Sequence, residues 1–132
     1  MKNRFVIMMA LAIGMIFFNS CADAQQTATA DLKAAEFKIA VDKKVGLLLD
    51  IRTADEVKTG YIAGAKNIDW YSPNFKTEVA KLDKTKPVYV YCAAGGRSTS
   101  ARDVLLSLGF KEVHQLTGGI GAWKSAGYPL AK

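Results

Sequence analysis

Cysteine and histidine are nearly absent from this chain. Its 132 residues include two cysteines, Cys21 and Cys92, and one histidine, His114. So sparse a set gives no cluster of ligands for a zinc or iron–sulfur centre. No run of 18 consecutive apolar residues occurs either, which excludes a conventional spanning helix. Lys and Arg outnumber Asp and Glu by 18 to 12, yet no basic block exists: Lys33, Lys43, Lys58, Lys76, Lys86 and Lys124 are scattered. Scattered charge of this kind describes a solvated surface and gives no footprint for nucleic acid. A mild pull on small anions is the most it supports.

The first 24 residues have a character of their own. Lys2 and Arg4 form a basic start, and an apolar run follows from Phe5 to Phe18. That is the pattern of an export signal, so residues 1–24 are set aside from fold reasoning. Two processing sites compete. "FFNSC" resembles a loose lipoprotein site and would leave Cys21 as a lipidated N-terminus tethered to the membrane. Ala22-Asp23-Ala24 is a small-x-small site suited to ordinary signal peptidase. The pattern leans to lipidation, and both readings place the protein outside the cytoplasm, in a periplasmic location. Residues 25–30 then read as a short polar tether, and residues 31–132 as one domain with one core. Without Lys2, Arg4 and Asp23, 16 basic and 11 acidic side chains remain.

Within that domain, strand and helix signals alternate. "ADLKAAEFKIAV" places Phe37 and Val41 four apart after Asp31, a helical spacing. "VGLLLDI", 45–51, is continuously apolar, as a strand buried on both faces should be. Thr53 and Glu56 fit a capping box, with Asp55 and Glu56 near the positive end of a short helix that Gly60 can end. "AKNID" reads as a short strand. Ser72-Pro73 reads as a helix start, with Phe75, Val79 and Leu82 on one face. "PVYVYC" is a second buried strand. Ala101, Leu105 and Leu108 line a helix opening at Ser98 and stopped by Gly109. "EVHQL" is a strand, and "IGAWKSAG" a closing helical turn or two. This alternation predicts an α/β fold: a single domain with a central parallel sheet flanked by helices on both faces.

Ligands of such sheets bind beyond the carboxyl ends of the strands, and Cys92 ends a central one. With Cys21 cleaved off or lipidated, Cys92 is a lone thiol in an exported protein, which suggests reactivity or intermolecular pairing. The turn after it, Ala93-Ala94-Gly95-Gly96-Arg97, is small and glycine-rich. Gly95 and Gly96 permit positive φ, successive N–H groups can converge into an anion nest, and the Ser98 helix aims its positive end at the sulfur. Arg97 adds a permanent charge. Together these favour thiolate over thiol.

"CAAGGRS" resembles the active-site loop of rhodanese-type sulfurtransferases, C-x-x-G-x-R-S. "LLLDIRTADEVKTGYIAGAKNID" is similar to the family's D-V-R-x-x-x-E segment and the glycine-rich stretch after it. "LTGGIGAWKSAGYPL" is similar to its closing L-x-G-G-x-x-A-W segment. The three matches are in order and span most of residues 45–130. The resemblance implies a rhodanese-like domain that moves sulfane sulfur from thiosulfate or a related donor to a thiol or cyanide acceptor. It implies a persulfide on Cys92 and no cofactor. Cys92 corresponds to the sulfur-accepting cysteine. Ala93, Ala94, Gly95, Gly96 and Arg97 correspond to the cradle, with Arg97 as the anion holder, and Ser98 to a loop-closing serine and helix cap. Asp50, Arg52 and Glu56 match a framework in which Arg52 and Glu56, four apart, suit a structural ion pair. Gly118, Gly119 and Trp123 match packing positions.

Three departures stand out: Tyr61 replaces a common His, Ala63 a Pro, and Ala93 an Arg that many thiosulfate-using relatives carry. His114 is not expected to activate Cys92, since "EVHQL" reads as a half-exposed strand and the nest suffices. A phosphatase on the same fold would need a longer loop, C-x5-R, where this chain has C-x4-R. A non-catalytic sulfur carrier or thiol redox module serving a protein partner is the second reading.

Overall fold

The computed structural model describes residues 27–132. Five parallel strands form one sheet, β1 (Ala28–Leu32), β2 (Leu47–Asp50), β3 (Lys66–Asn67), β4 (Val88–Tyr91) and β5 (Glu112–Leu116), in the order β1-β5-β4-β2-β3. The helices are α1 (Ala34–Asp42), α2 (Ala54–Lys58), α3 (Phe75–Ala80), α4 (Gly96–Ser107) and α5 (Gly119–Ser125). The expected α/β architecture is the one observed, with helices on both faces.

Alternation along the strands divides the core in two. Val88 and Val90 of β4 join Leu49, Ile51, Val113, Phe110 and the α3 and α4 residues Phe75, Val79, Ala101 and Leu105 on one face. Tyr89 and Tyr91 join Leu116 and the α1 and α5 residues Phe37, Ile120 and Trp123 on the other. Phe37 meets Tyr89, Tyr91 and Trp123 edge-on, with ring centroids 5.9–6.5 Å apart. Each such fully buried side chain contributes on the order of 1.5–3 kcal/mol. β4 is buried along its whole length, and this fixes where its C-terminal end, and so the site, lies.

Three boundaries differ from the sequence reading. Residues 28–30, expected in the tether, open β1, and the helix expected after Asp31 begins only at Ala34. The strand is a small, polar edge. Its stability comes from parallel backbone pairing with β5, in which Asp31 lies opposite Gln115, so no apolar alternation announces it. The helix expected at Ser72-Pro73 starts at Phe75. Ser72 first closes a turn, its carbonyl accepting from Phe75 N–H at 3.1 Å and its hydroxyl from Asn74 N–H at 3.2 Å. α4 starts at Gly96, two residues before the expected Ser98. The leader, the processing alternatives and Cys21 lie outside the described residues.

Candidate active site at the end of the central strand

Cys92 follows β4 directly and is buried, at 1% exposure. The loop beyond it is held from below by α5. Ile120 N–H donates to the Cys92 carbonyl at 2.9 Å and Gly121 N–H to the Ala93 carbonyl at 3.2 Å. Only glycine can stand at position 119: its φ is +59°, and a Cβ there would lie 2.5 Å from the Cys92 oxygen and 2.6 Å from Ala93 carbonyl carbon. These contacts draw the first two carbonyls toward α5. The chain then turns through Gly95, at φ +105°, where a side chain would be strained. Gly96 has no positive φ, so one residue makes the turn that the sequence assigned to two.

The result is a cup around sulfur. Gly95 N–H donates to Cys92 Sγ at 3.1 Å, and Ser98 Oγ lies 3.6 Å from it. Burial resists ionisation of the thiol. The Ser98 hydroxyl and the N–H groups of Ser98, Gly95 and Ala94 work against that, and the outcome is a pKa lowered from the ordinary value. The twelve-residue α4 adds its positive end. Ser98 is not the helix cap: Gly95 occupies that position, and Ser98 sits in the first turn with its hydroxyl 3.1 Å from the Gly95 carbonyl.

Arg97 does not reach into the cup. Its guanidinium forks onto Glu56, Nη1 to Oε2 at 2.9 Å and Nη2 to Oε1 at 2.7 Å, and lies over the exposed Tyr71 ring at 5.4 Å. The expected Arg52–Glu56 ion pair is therefore absent. Arg52 instead turns back to Asp50, Nη2 to Oδ2 at 2.6 Å and Nε to Oδ1 at 3.0 Å, and donates to the Gly60 and Glu56 carbonyls. Asp50 also accepts from the Tyr91 hydroxyl at 2.8 Å. The pairing follows from burial. Asp50 and Arg52 are both almost wholly enclosed, and a buried charge needs its partner beside it. Glu56, half-exposed at the start of α2, is left for Arg97. It also completes the expected capping box with Thr53. Arg97 holds the Glu56 carboxyl down to about 2.

His114 is remote from the cup. It stacks on Tyr89 with centroids 5.3 Å apart and meets Glu112 at 2.9 Å, on the sheet face opposite Gln115. Gln115 is the polar residue that sequence reasoning missed. It is buried, and its Oε1 accepts from the Ser98 hydroxyl at 2.8 Å. Its signal was available: a polar side chain on the inward face of "EVHQL". Ala93 is half-buried beside the loop, and Ala94 and Gly96 are exposed on its outer side. Among the described residues no group of three or more His, Cys, Asp or Glu could hold a metal ion. A buried thiol whose pKa is lowered by the donors around it can act as a nucleophile and hold an anionic sulfur.

Comparison with known proteins agrees with this geometry. The model of the rhodanese-like domain family matches residues 33–126. Thiosulfate sulfurtransferase GlpE of Coxiella burnetii is 38% identical over 85 residues, covering 64% of this chain and 78% of that protein. A sulfurtransferase of Allochromatium vinosum is 34% identical over 84 residues, covering 64% and 77%. The crystal structure of a rhodanese-related protein from Thermoplasma volcanium superposes with a TM-score of 0.69 at 30% identity, covering 77% of this chain and 97% of that one.

Proposed function

The chain belongs to the rhodanese-like domain family, and from that premise we propose that it is a sulfurtransferase working through a persulfide on Cys92. The observation that carries the reading is the buried Cys92 sulfur at the end of β4, with Gly95 N–H donating to it at 3.1 Å. The relatives named as sulfurtransferases support the reaction class. Cys92 thiolate attacks the outer sulfur of thiosulfate or a related donor. The donor's S–S bond breaks, its electron pair leaves with sulfite from thiosulfate or with the donor thiolate from a persulfide, and Cys92 carries the transferred sulfur. Loop N–H groups hold the terminal sulfur anion. An acceptor nucleophile, cyanide or a thiolate, then attacks that sulfur, and Cys92 thiolate departs. Electrons balance in both halves without a cofactor, as ping-pong chemistry requires.

The donor class is thiosulfate or a persulfide. The second reading, a non-catalytic carrier of sulfane sulfur or a thiol redox module for a protein partner, draws on one observation: the guanidinium nearest the mouth is already engaged by Glu56. Intact mass after incubation with thiosulfate tests the first half-reaction. The reading expects a gain of one sulfur at Cys92, removed by cyanide. Multiple turnovers with small donors then separate enzyme from carrier, and no gain with any donor would overturn both sulfur readings.

The leader supports export. Its basic start and apolar run fit a secretory signal, with Cys21 as a lipid anchor or Ala24 as the last residue removed. Metabolic lipid labelling and the N-terminal mass of the exported protein decide between the two. A mature chain beginning at Met1 would overturn export.

A further inference from the structure

Ser98 stands between two claims on one proton. Two acceptors surround its hydroxyl, Gln115 Oε1 at 2.8 Å and the Gly95 carbonyl at 3.1 Å, and Cys92 Sγ, 3.6 Å away, donates to its oxygen. A hydroxyl donates once and accepts through its lone pairs, and the shortest contact is to Gln115. Gln115 could present either end of its amide. Asp31 decides which, because a carboxylate only accepts and lies 3.0 Å from Gln115 Nε2. The amide nitrogen must face Asp31, so the oxygen faces Ser98. The carboxylate is held in turn by Arg102, Nη1 to Oδ1 at 2.6 Å, and cross-strand pairing of Asp31 with Gln115 fixes the register.

Resting on the reading of Cys92 as the sulfur-accepting nucleophile, we infer that Gln115 and Asp31 are positioning residues for its thiol: Asp31 locks the Gln115 amide, Gln115 takes the Ser98 proton, and Ser98 is left with lone pairs toward Cys92 Sγ. The thiol can then donate its S–H to Ser98. The thiolate gains the Ser98 proton, the contact that lowers its pKa, only by drawing that proton from Gln115 Oε1. Gln115 is only 5% exposed, so stranding it has a real cost. The relay thus holds back part of what Ser98 could give the thiolate. A thiolate less stabilised in this way attacks a donor more strongly and leaves an acceptor more slowly, so the relay sets the balance between the two half-reactions.

The other groups around the sulfur do not supply this effect. On α4, Arg97 feels the Cys92 charge through space but is paired with Glu56 from α2, and that attraction does not depend on where the Ser98 proton points. At the end of β2, Asp50 and Arg52 close on each other. On β5, His114 points to the opposite face and binds Glu112. On β1, Asp31 acts from beyond Gln115 and is paired with Arg102 of α4.

The test follows the rate of iodoacetamide alkylation at Cys92 against pH, read by peptide mass mapping so that Cys21 does not contribute. Gln115→Met removes the acceptor without changing charge, and the alkylation midpoint should fall by roughly half to one pH unit, the scale of one neutral hydrogen bond. Asp31→Asn can turn its own amide nitrogen to Gln115 and release the lock, so it too should lower the midpoint. Removing a negative charge would also do that, and the double variant separates the causes: with Met at 115, Asp31→Asn should add nothing. Should Gln115→Met not fold, Asp31→Asn alone still decides, because a relay effect persists at high salt and a bare charge effect is screened. An unmoved or raised midpoint in Gln115→Met overturns the relay. So does an Asp31→Asn shift that is equal in both backgrounds or vanishes with salt. Sulfur loading measured on the same samples keeps the questions apart: failure to load from any donor overturns the sulfurtransferase reading, whatever the midpoints do.

Discussion

Arg97 and Glu56, 41 residues apart, form a two-pronged ion pair, with Nη2–Oε1 at 2.7 Å and Nη1–Oε2 at 2.9 Å. The fork ties the first turn of α4, and with it the Cys92 loop, to the start of α2. It also gives Arg97 a partner that a substrate anion would have to displace. The residue best placed by sequence to hold the donor's sulfonate is thus engaged in holding the loop.

A lysine at 97 is a point charge and cannot satisfy both carboxylate oxygens. Arg97→Lys should therefore lower stability by about 1–2 kcal/mol. Sulfur transfer should fall by similar factors from thiosulfate and from an uncharged persulfide donor. Urea unfolding and kcat/KM with both donors check this. A loss confined to thiosulfate would return Arg97 to the role of anion holder.

The same pair has a pH signature. The folded-state pKa of Glu56 is about 2 against an ordinary 4.5, chiefly through the Arg97 hydrogen bond. A depressed carboxyl contributes stability above its unfolded pKa and loses it as pH falls through the folded one. Glu56→Gln should therefore be less stable than the parent at pH 6, by about 1–2 kcal/mol once solvent screening is allowed for. The gap should close between pH 4.5 and pH 2. Thermal unfolding of both proteins across that range measures it; a gap constant to pH 2 would mean that the carboxylate charge contributes nothing.

The architecture was legible because its strongest signals are local. Continuous apolar runs marked β2 and β4, Thr53 and Glu56 marked the start of α2, and Gly109 marked the end of α4. The cup was legible as composition: a thiol, small residues and a glycine at positive φ. What escaped was pairing. Spacing offered Arg52 to Glu56, four apart, but burial of Asp50 beside Arg52 outweighs helical proximity. β1 escaped because an edge strand of small and polar residues is specified by its neighbour β5. Asp31 and Gln115 escaped with it, since only that neighbour brings them together.

Cys92→Ser keeps the size and burial of the side chain and should fold with a melting temperature near that of the parent. It should gain no sulfur from thiosulfate or any persulfide, because a hydroxyl cannot become a persulfide. Circular dichroism and intact mass check the two halves, and sulfur uptake at full rate in this variant would remove Cys92 from the mechanism.

Gly119 is predicted to be as necessary to the cup as the cysteine. A methyl there would enter the space of the Cys92 and Ala93 backbone at a φ that disfavours any side chain. Gly119→Ala should cost on the order of 2 kcal/mol or more and slow alkylation of Cys92 by displacing the loop. Gly127, also at positive φ but in open space, provides the control. Gly127→Ala carries the conformational strain without the clash, so it should be the milder change and leave alkylation of Cys92 unaltered.

The last prediction concerns charge at the mouth. Arg97 is compensated by Glu56, and Ala93, half-buried beside the sulfur, offers a position where an added cation would have no carboxylate already paired to it. Ala93→Arg should therefore raise kcat/KM for thiosulfate by about tenfold, the scale of one charge-assisted contact to a doubly charged donor. It should leave an uncharged persulfide donor almost unchanged. The gain should shrink as salt rises, because an exposed guanidinium is screened over about 10 Å at 0.1 M ionic strength. In the Glu56→Gln background Arg97 is released, which should make the added arginine less valuable, since a second cation then competes for the same anion. Steady-state kinetics with both donors, in the parent, the two single variants and the double variant, measures the coupling. If Ala93→Arg improves neither donor, or improves both alike, the sulfonate of thiosulfate is not read at this mouth, and a persulfide becomes the donor class the site serves.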